Sequence, residues 1–372
     1  MPEPFAKRYA APPPALAFAA QCCRWGRVAH PGDTRLAAER VTDWEHQLRV
    51  FKRHRVEGLA WQALKHCGAD LPPDVAKTLK TAGNRIAQHN LTIAMESARL
   101  HGLFEEAGVD LLFLKGLTLA QLAYGNILTK SGWDLDILIE HQDLAHAADL
   151  LSRNGYELLS PAVDPATSKL LEWHESCKES QWRERRSGLV VELHTSPADD
   201  PRLIPGLNVH SPRQDVALGK AIVLPTFATD ELFAYLMVHG ASSAWFRLKW
   251  VADLAALFAS HTPGEIHEAY RRSLALGAGR TAGLALLMCR WLFGTAVDEE
   301  LAALLLLDRS QRYLFELSRR NLTGAALVTE LHHLLLGTWR IHLTQMLINP
   351  GIEPKIRWFF RTARQTSANR QG

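Results

Sequence analysis

Asp134 and Asp136 stand two residues apart in Trp133-Asp-Leu-Asp-Ile-Leu-Ile139. On a strand, alternation turns both carboxylates to one face and sends Leu135, Ile137 and Ile139 to the other. Carboxylates side by side on a buried strand repel and lose hydration, so something cationic must compensate them. A divalent ion, Mg²⁺ or Mn²⁺, carrying a nucleotide phosphate meets that need. The pair therefore points to metal-dependent phosphoryl or nucleotidyl transfer.

Chemistry of that kind uses another carboxylate on a neighbouring strand, which shares the metal and orients or deprotonates the attacking hydroxyl. Gly188-Leu-Val-Val-Glu-Leu-His194 offers Glu192. Alternation places Leu189, Val191 and Leu193 on one face and Val190, Glu192 and His194 on the other, so Glu192 can face the site while its neighbours pack. An edge-strand glutamate in water would look the same. His194 shares that face as a substrate contact, a hydrogen-bond partner of Glu192 or a structural histidine. Upstream, Lys115-Gly116 falls where a strand meets a helix N-terminus, whose N–H groups and dipole favour phosphate. Lys115 adds a point charge there, and Thr118 adds a hydroxyl unless it is a plain helix residue.

These groups need strands to carry them. Strand patterning covers 111–114, 134–139, 157–158, 179–183 and 189–194, with helices fitting at 117–124 and 143–154. Before them, Pro72-Pro73 opens a long helix whose Leu79, Ile86, Ile93 and Leu100 recur on one face, with Leu103 extending the stripe and Gly108 ending it. After Ile222-Val-Leu224 and Pro225 the chain turns helical, with Thr229 as N-cap and Asp230 and Glu231 in the first turn. Arg247, Lys249 and Asp253 lie on a C-terminal helix. Lys249 and Asp253 form an i,i+4 pair there, or the helix covers the nucleotide. Trp133 is the tryptophan best placed to touch a base or sugar. The expected class is α+β: a small mixed β-sheet core at 109–224, an N-terminal helical region at 15–108, a C-terminal helical domain at 225–372, and a Pro/Ala-rich disordered segment at 1–14.

Composition narrows the partners. With 372 residues there is room for two or three domains, or one core with large additions. A net charge of +3 is too mild to demand nucleic acid, and a long tRNA-type acceptor would require a strongly basic groove. No signal peptide is visible, and His332, His333, Arg340 and His342 interrupt the Leu-rich stretch at 327–348, so a cytoplasmic protein without a transmembrane segment is expected. Five cysteines without metal-ligand spacing read as reduced thiols. Adjacent His332 and His333 diverge by about 100° on a helix, which makes a poor metal pair. The basic tail at 355–361 suits a docked helix or an anionic surface.

An apolar strand ending in Lys115-Gly116, a short helix, Asp134-Leu-Asp136 and then Val190-Val-Glu-Leu-His194 resembles the polymerase-beta-type nucleotidyltransferase superfamily. Within it the chain is similar to a bacterial group of uncharacterised nucleotidyltransferases. His54-Arg-Val-Glu-Gly-Leu59, Asn90, Asn154-Gly-Tyr156 and Arg247-Leu-Lys-Trp-Val-Ala-Asp253 extend the likeness over 52–257. The resemblance implies that Asp134 and Asp136 bind Mg²⁺, that Glu192 is the third acid, and that Lys115-Gly116 begins the phosphate loop. Lys130 falls where relatives carry Arg; it keeps the charge without the bidentate fork. One departure is Gly116-Leu117 where the superfamily has Gly-Ser, so Lys115 or Thr118 must substitute for the serine. The implied reaction is transfer of NMP from an NTP such as ATP to a small molecule, a peptide or a protein, with peptide natural-product tailoring as one setting. The rival reading is a degenerate module that binds nucleotide or a partner without turnover.

Overall fold

A computed structural model describes residues 9–26, 29–324 and 344–348. The expectations for residues 1–8, for His332-His333 and for the tail at 355–361 lie outside them. Four helices, α1 (Pro14–Cys22), α2 (Pro31–Glu39), α3 (Trp44–His54) and α4 (Glu57–His66), precede the 34-residue α5 (Pro73–Glu106). Proline at the first position of α5 removes an N–H that would have no helical partner. Leu79, Ile86, Ile93 and Leu100 are all buried along one stripe of α5, as the heptad spacing requires.

The strand-bearing part follows as β1 (Leu112–Phe113), α6 (Leu117–Tyr124), β2 (Asp134–Leu138), α7 (Leu144–Arg153), β3 (Tyr156–Ser160), α8 (Ser168–His174), β4 (Glu179–Glu184) and β5 (Val190–His194). Together the strands make a mixed five-stranded sheet in the order β1-β2-β5-β4-β3. Only β2 and β5 run parallel, and their register sets Asp136 opposite Glu192 and Leu138 opposite His194. A separate hairpin, β6 (Arg213–Leu218) with β7 (Ile222–Phe227), went unread in the sequence apart from Ile222-Val-Leu224. Pro225 obscured it, since proline reads as a strand breaker. In a two-stranded sheet, however, each strand has an unpaired side that tolerates a missing N–H. The Thr226 hydroxyl donates to the Phe113 carbonyl at 2.6 Å and fastens the hairpin to β1.

The chain ends as α9 (Thr229–Ser242), α10 (Leu248–Phe258), α11 (Pro263–Ala275), α12 (Arg280–Phe293), α13 (Glu299–Leu307) and α14 (Arg309–Thr323). Thr229 is not the N-cap of α9. It is the first helical residue, Ala228 holds the cap position, and no side chain caps the turn. No helix among the described residues is long and apolar enough to cross a membrane. All five cysteines are free.

Two apolar clusters share the molecule. Leu135, Ile137, Ile139, Val191 and Leu193 pack on one side of the sheet with α5 and α7. Leu112, Leu114 and Leu138 join the other cluster, which unites Phe18 and Leu59 near the N-terminus with Phe233, Trp245 and Leu284 near the C-terminus. The helices before and after the sheet thus build one core. The face that carries Asp134, Asp136 and Glu192 is the one turned toward α9 and α10.

Candidate active site

Strand alternation and parallel register do most of the placing. Asp136 lies in the middle of β2, 3% exposed, directly across from Glu192 on β5. His194, two residues on, is 1% exposed. Its Nε2 is 3.4 Å from Asp136 Oδ1 and 3.8 Å from Glu192 Oε2, while its Nδ1 is 3.4 Å from Glu179 Oε2 on β4. Glu179 in turn pairs with Lys178 at 2.7 Å. At the other end, Lys115 Nζ lies 2.9 Å from Asp136 Oδ1. Five ionisable groups therefore form a ladder across three strands and the β1–α6 loop: Lys115, Asp136, His194, Glu179 and Lys178.

Each group is tuned by its neighbours. Burial opposes ionisation of Asp136, but Lys115 and then His194 hold its carboxyl well below the ordinary range. Burial also works against the Lys115 ammonium, yet Asp136 and Asp134 raise its pKa well above normal. The His194 imidazole would be driven down by burial and by Lys178. Glu179, Asp136 and Glu192 outweigh both and raise it to about 9. Burial lifts Glu192 against the opposing pull of His194, and Asp136 and Glu179 add to the rise. The cation required by the buried aspartate is thus present in the chain itself, as Lys115 and a protonated His194.

The outer end of β2 differs. Asp134 is partly exposed and sits across from Val190. Lys115, Gly116, Thr118, Lys130, Asp134 and Asp136 line one narrow cleft. Six of the residues expected from the sequence meet there, while Glu192 and Lys249 do not line it. Gly116 caps α6 with φ +75°, a backbone shape that disfavours any side chain, and a Cβ there would project into open space. The Thr118 hydroxyl donates to the Lys115 carbonyl at 3.2 Å. Lys130 is 6% exposed, with Nζ 3.5 Å from Asp253.

That last contact corrects the reading of α10. Asp253 pairs with Lys130 and accepts from the Tyr124 hydroxyl at 2.9 Å, so the i,i+4 pair with Lys249 does not form. Tertiary partners at a buried position outcompete a neighbour on the same helix. Lys249 Nζ instead lies 6.0 Å from the Trp250 ring centroid, and burial, then Lys130 and Lys115, lower its pKa to about 7, with Asp134 pulling the other way. Arg247 holds the N-cap position of the helix and donates to the Arg53 carbonyl at 2.8 Å. Trp133 is 53% exposed beside the cleft, with its ring centroid 5.9 Å from that of His89.

Two outlying segments hold the loop that leads into β2. Asn90 Nδ2 donates to the carbonyls of Ile127 and Lys130, and a Cβ on Gly58 would come within 2.2 Å of the Thr129 carbonyl oxygen. Their part is to position Lys130 and Asp134. With the site in this arrangement, the match of the uncharacterised nucleotidyltransferase family to residues 40–294 settles the relationship. The chain belongs to that family. No curated protein sequence matches it. Family membership makes nucleotidyl transfer the general activity to which the site must answer.

As a nucleotidyltransferase site, the arrangement includes groups the sequence did not single out. Glu179 and Lys178 complete the ladder; Glu179 could have been found by extending the alternation of β4, which puts Glu179 and Gln181 on the face of Glu192. Gln181 Nε2 donates to Glu192 at 3.2 Å. Tyr235, 1% exposed on α9, lies within the electrostatic reach of Lys115, Asp136, Lys178 and Glu179 and belongs to a helix whose uniform apolarity hides it. A divalent ion suits this donor set. Asp136, Glu192 and His194 each offer one ligand atom, all within 4.8 Å of one another. Asp136 Oδ2 and both His194 nitrogens are buried without a hydrogen-bond partner among the described residues, while Lys115 occupies Oδ1 at 2.9 Å, so Oδ2 and the imidazole have capacity for a cation.

Proposed function

We propose that this nucleotidyltransferase moves NMP from an NTP to a hydroxyl or similar nucleophile on a small molecule, a peptide or a protein, with Asp134, Asp136 and Glu192 holding Mg²⁺ or Mn²⁺. The observation that carries this reading is the β2–β5 register, which puts Asp136 opposite Glu192 on a face left open on the Asp134 side. When bound, the cations would offset charge on the phosphate oxygens and favour the deprotonated nucleophile.

The chain's own groups supply the rest. Gly116 and the N–H groups opening α6 face the cleft where phosphates would lie. Lys130 and Lys249 bring positive charge to the cleft side, where a leaving pyrophosphate gathers negative charge. Lys115 keeps Asp136 ionised, and Thr118 holds the Lys115 carbonyl and thereby the loop. Glu192, with its pKa raised by burial, is suited to take a proton from the acceptor near neutral pH. In-line attack on the α-phosphorus then breaks the bond to pyrophosphate, and positioning and charge complementarity lower the barrier. The mild net charge of +3 favours an acceptor other than a long nucleic acid.

The test is release of pyrophosphate from each NTP in the presence of Mg²⁺ or Mn²⁺, with α-labelled nucleotide followed into candidate acceptor pools. Label from the α-phosphate in the acceptor supports the reading. Tight metal-nucleotide binding with no release across all pools would instead make the chain a binding module.

A further inference from the structure

The His194 imidazole is at once buried, central and without a hydrogen bond. It is 1% exposed, and neither ring nitrogen has a hydrogen-bond partner among the described residues. Its two nitrogens look at different carboxylates. Nδ1 faces Glu179 Oε2 at 3.4 Å, and Nε2 faces Asp136 Oδ1 at 3.4 Å and Glu192 Oε2 at 3.8 Å. Those last separations are long for hydrogen bonds. The separation from Asp136 fits the edge of a coordination shell, in which donors about 2.1 Å from one ion sit roughly 3.0–3.5 Å apart, and the separation from Glu192 lies just outside it. On the outward side Glu179 stands 3.4 Å from Nδ1, where a small turn of the ring would give it the N–H, the arrangement that fixes tautomer and orientation in ligating histidines.

From this we infer that His194 Nε2 is a direct ligand of the catalytic cation together with Asp136 and Glu192, with Glu179 as the residue that orients the ring. The inference rests on the reading of the site as metal-dependent and deepens it. It changes the expected chemistry of the site, because a nitrogen donor beside two carboxylates favours Mn²⁺ and Co²⁺ over the all-oxygen preference of Mg²⁺. It also separates the two aspartates. Asp134 stands outside the cluster of three donors, on the cleft side, where it can meet an ion that arrives with the nucleotide. Lys115, 2.9 Å from the same Asp136 Oδ1 that His194 faces, balances the acidic set.

The experiment uses the full chain and Mn²⁺ alone, with pulsed EPR as readout, and compares protein made with ordinary and with ¹⁵N-labelled histidine. The expected result is a nitrogen coupling to Mn²⁺ that shifts on labelling, and Mg²⁺ displacing Mn²⁺ only at more than about tenfold excess. In His194→Ala, checked for folding by circular dichroism, the coupling disappears. In Glu179→Gln it persists while Mn²⁺ binding weakens about tenfold, as loss of an orienting partner does. In Asp134→Asn the coupling is unchanged. Bound Mn²⁺ with no histidine coupling in the unmutated protein overturns the inference without any variant, and so does coupling that survives in His194→Ala. Pyrophosphate release assayed in parallel keeps the two ideas apart. An oxygen-only spectrum in a protein that releases pyrophosphate removes His194 from the shell and leaves the transferase standing. Histidine coupling in a protein that releases none does the reverse. No Mn²⁺ binding, with or without nucleotide, overturns both.

Discussion

The two ends of β2 solve opposite problems. At the inner end, Asp136 is almost fully enclosed, and its charge is answered inside the protein by Lys115 and His194, which Glu179 and Lys178 answer in turn. At the outer end, Asp134 is partly open and lines a cleft that also holds Lys130, while Lys249, without an ion pair among the described residues, has a pKa lowered to about 7 by burial and the nearby lysines. Without a metal, the inner end is balanced by the chain's own cations, which keeps an acid ionised and in place. The outer end carries positive charge that a phosphate would complete. Under the proposed function, the difference would let a strand with only two carboxylates serve both for positioning and for binding.

Asp136→Asn should separate the two ends most strongly. Nucleotidyl transfer should fall by more than about a thousandfold, measured as pyrophosphate release, because the residue is central to the charged set. The same change should lower stability by about 3–5 kcal/mol, since it strips a buried ammonium of its partner. Removing the partner as well, in Lys115→Met with Asp136→Asn, should recover part of that loss in urea denaturation while activity stays absent. Asp134→Asn, at the outer end, should leave stability within about 0.5 kcal/mol. Equal destabilisation by the two single changes would erase the distinction between the ends.

Glu192→Gln comes next, with an expected loss of about a hundredfold to a thousandfold in kcat, the range for a positioned base. Its effect on stability should have the other sign. Burial and then Asp136 raise the Glu192 pKa, so the folded protein resists its ionisation, and that cost grows as pH rises above the usual carboxyl value of 4.5. The glutamine variant should therefore unfold at a higher temperature than the parent at pH 7.

The metal-free protein should show the ladder as a pH profile. The Asp136 pKa is depressed, so its contribution is present above pH 3.8 and lost as pH falls through the lower folded value. His194 is raised from 6.5 to about 9, so its contribution is complete below 6.5 and lost as pH rises through about 9. Lys249 acts in the opposite sense, which makes the informative quantity the difference in melting temperature between the parent and His194→Gln. That difference should shrink from pH 6 to pH 9.5; a constant gap would mean that His194 is not charged in the fold.

How much of this could be read from the sequence divides along the same line. Period-two alternation exposed β2 and β5 and the faces of Asp136, Glu192 and His194, because a strand carries its orientation locally. The stripe at Leu79, Ile86, Ile93 and Leu100 did the same for α5. Contacts set by tertiary neighbours were not legible. Lys249 and Asp253 stand at ideal helical spacing, yet Asp253 turns to Lys130 and Tyr124, which are remote in sequence. Glu179 reads as an ordinary strand residue until β4 is paired antiparallel with β5, which puts it opposite His194. The hairpin at 213–227 was hidden by Pro225, whose cost depends on which side of the strand is paired.

The outer end invites the smaller changes. Lys249→Met should raise the KM for NTP about tenfold while leaving the fold intact, and in the parent the KM should climb as pH rises through about 7, where the ammonium discharges. Lys249→Arg, which stays charged, should flatten that climb. Thr118→Val asks the finest question, whether the hydroxyl serves the loop or the phosphate. Its proton already goes to the Lys115 carbonyl at 3.2 Å, and the side chain is 1% exposed. Loss of one such bond should cost about 0.5–1.5 kcal/mol of stability and shift the KM for NTP by less than about threefold, since the loop keeps Gly116 and its N–H groups. A tenfold rise in KM at unchanged stability would put Thr118 in contact with phosphate, in the place of the serine that Leu117 has displaced.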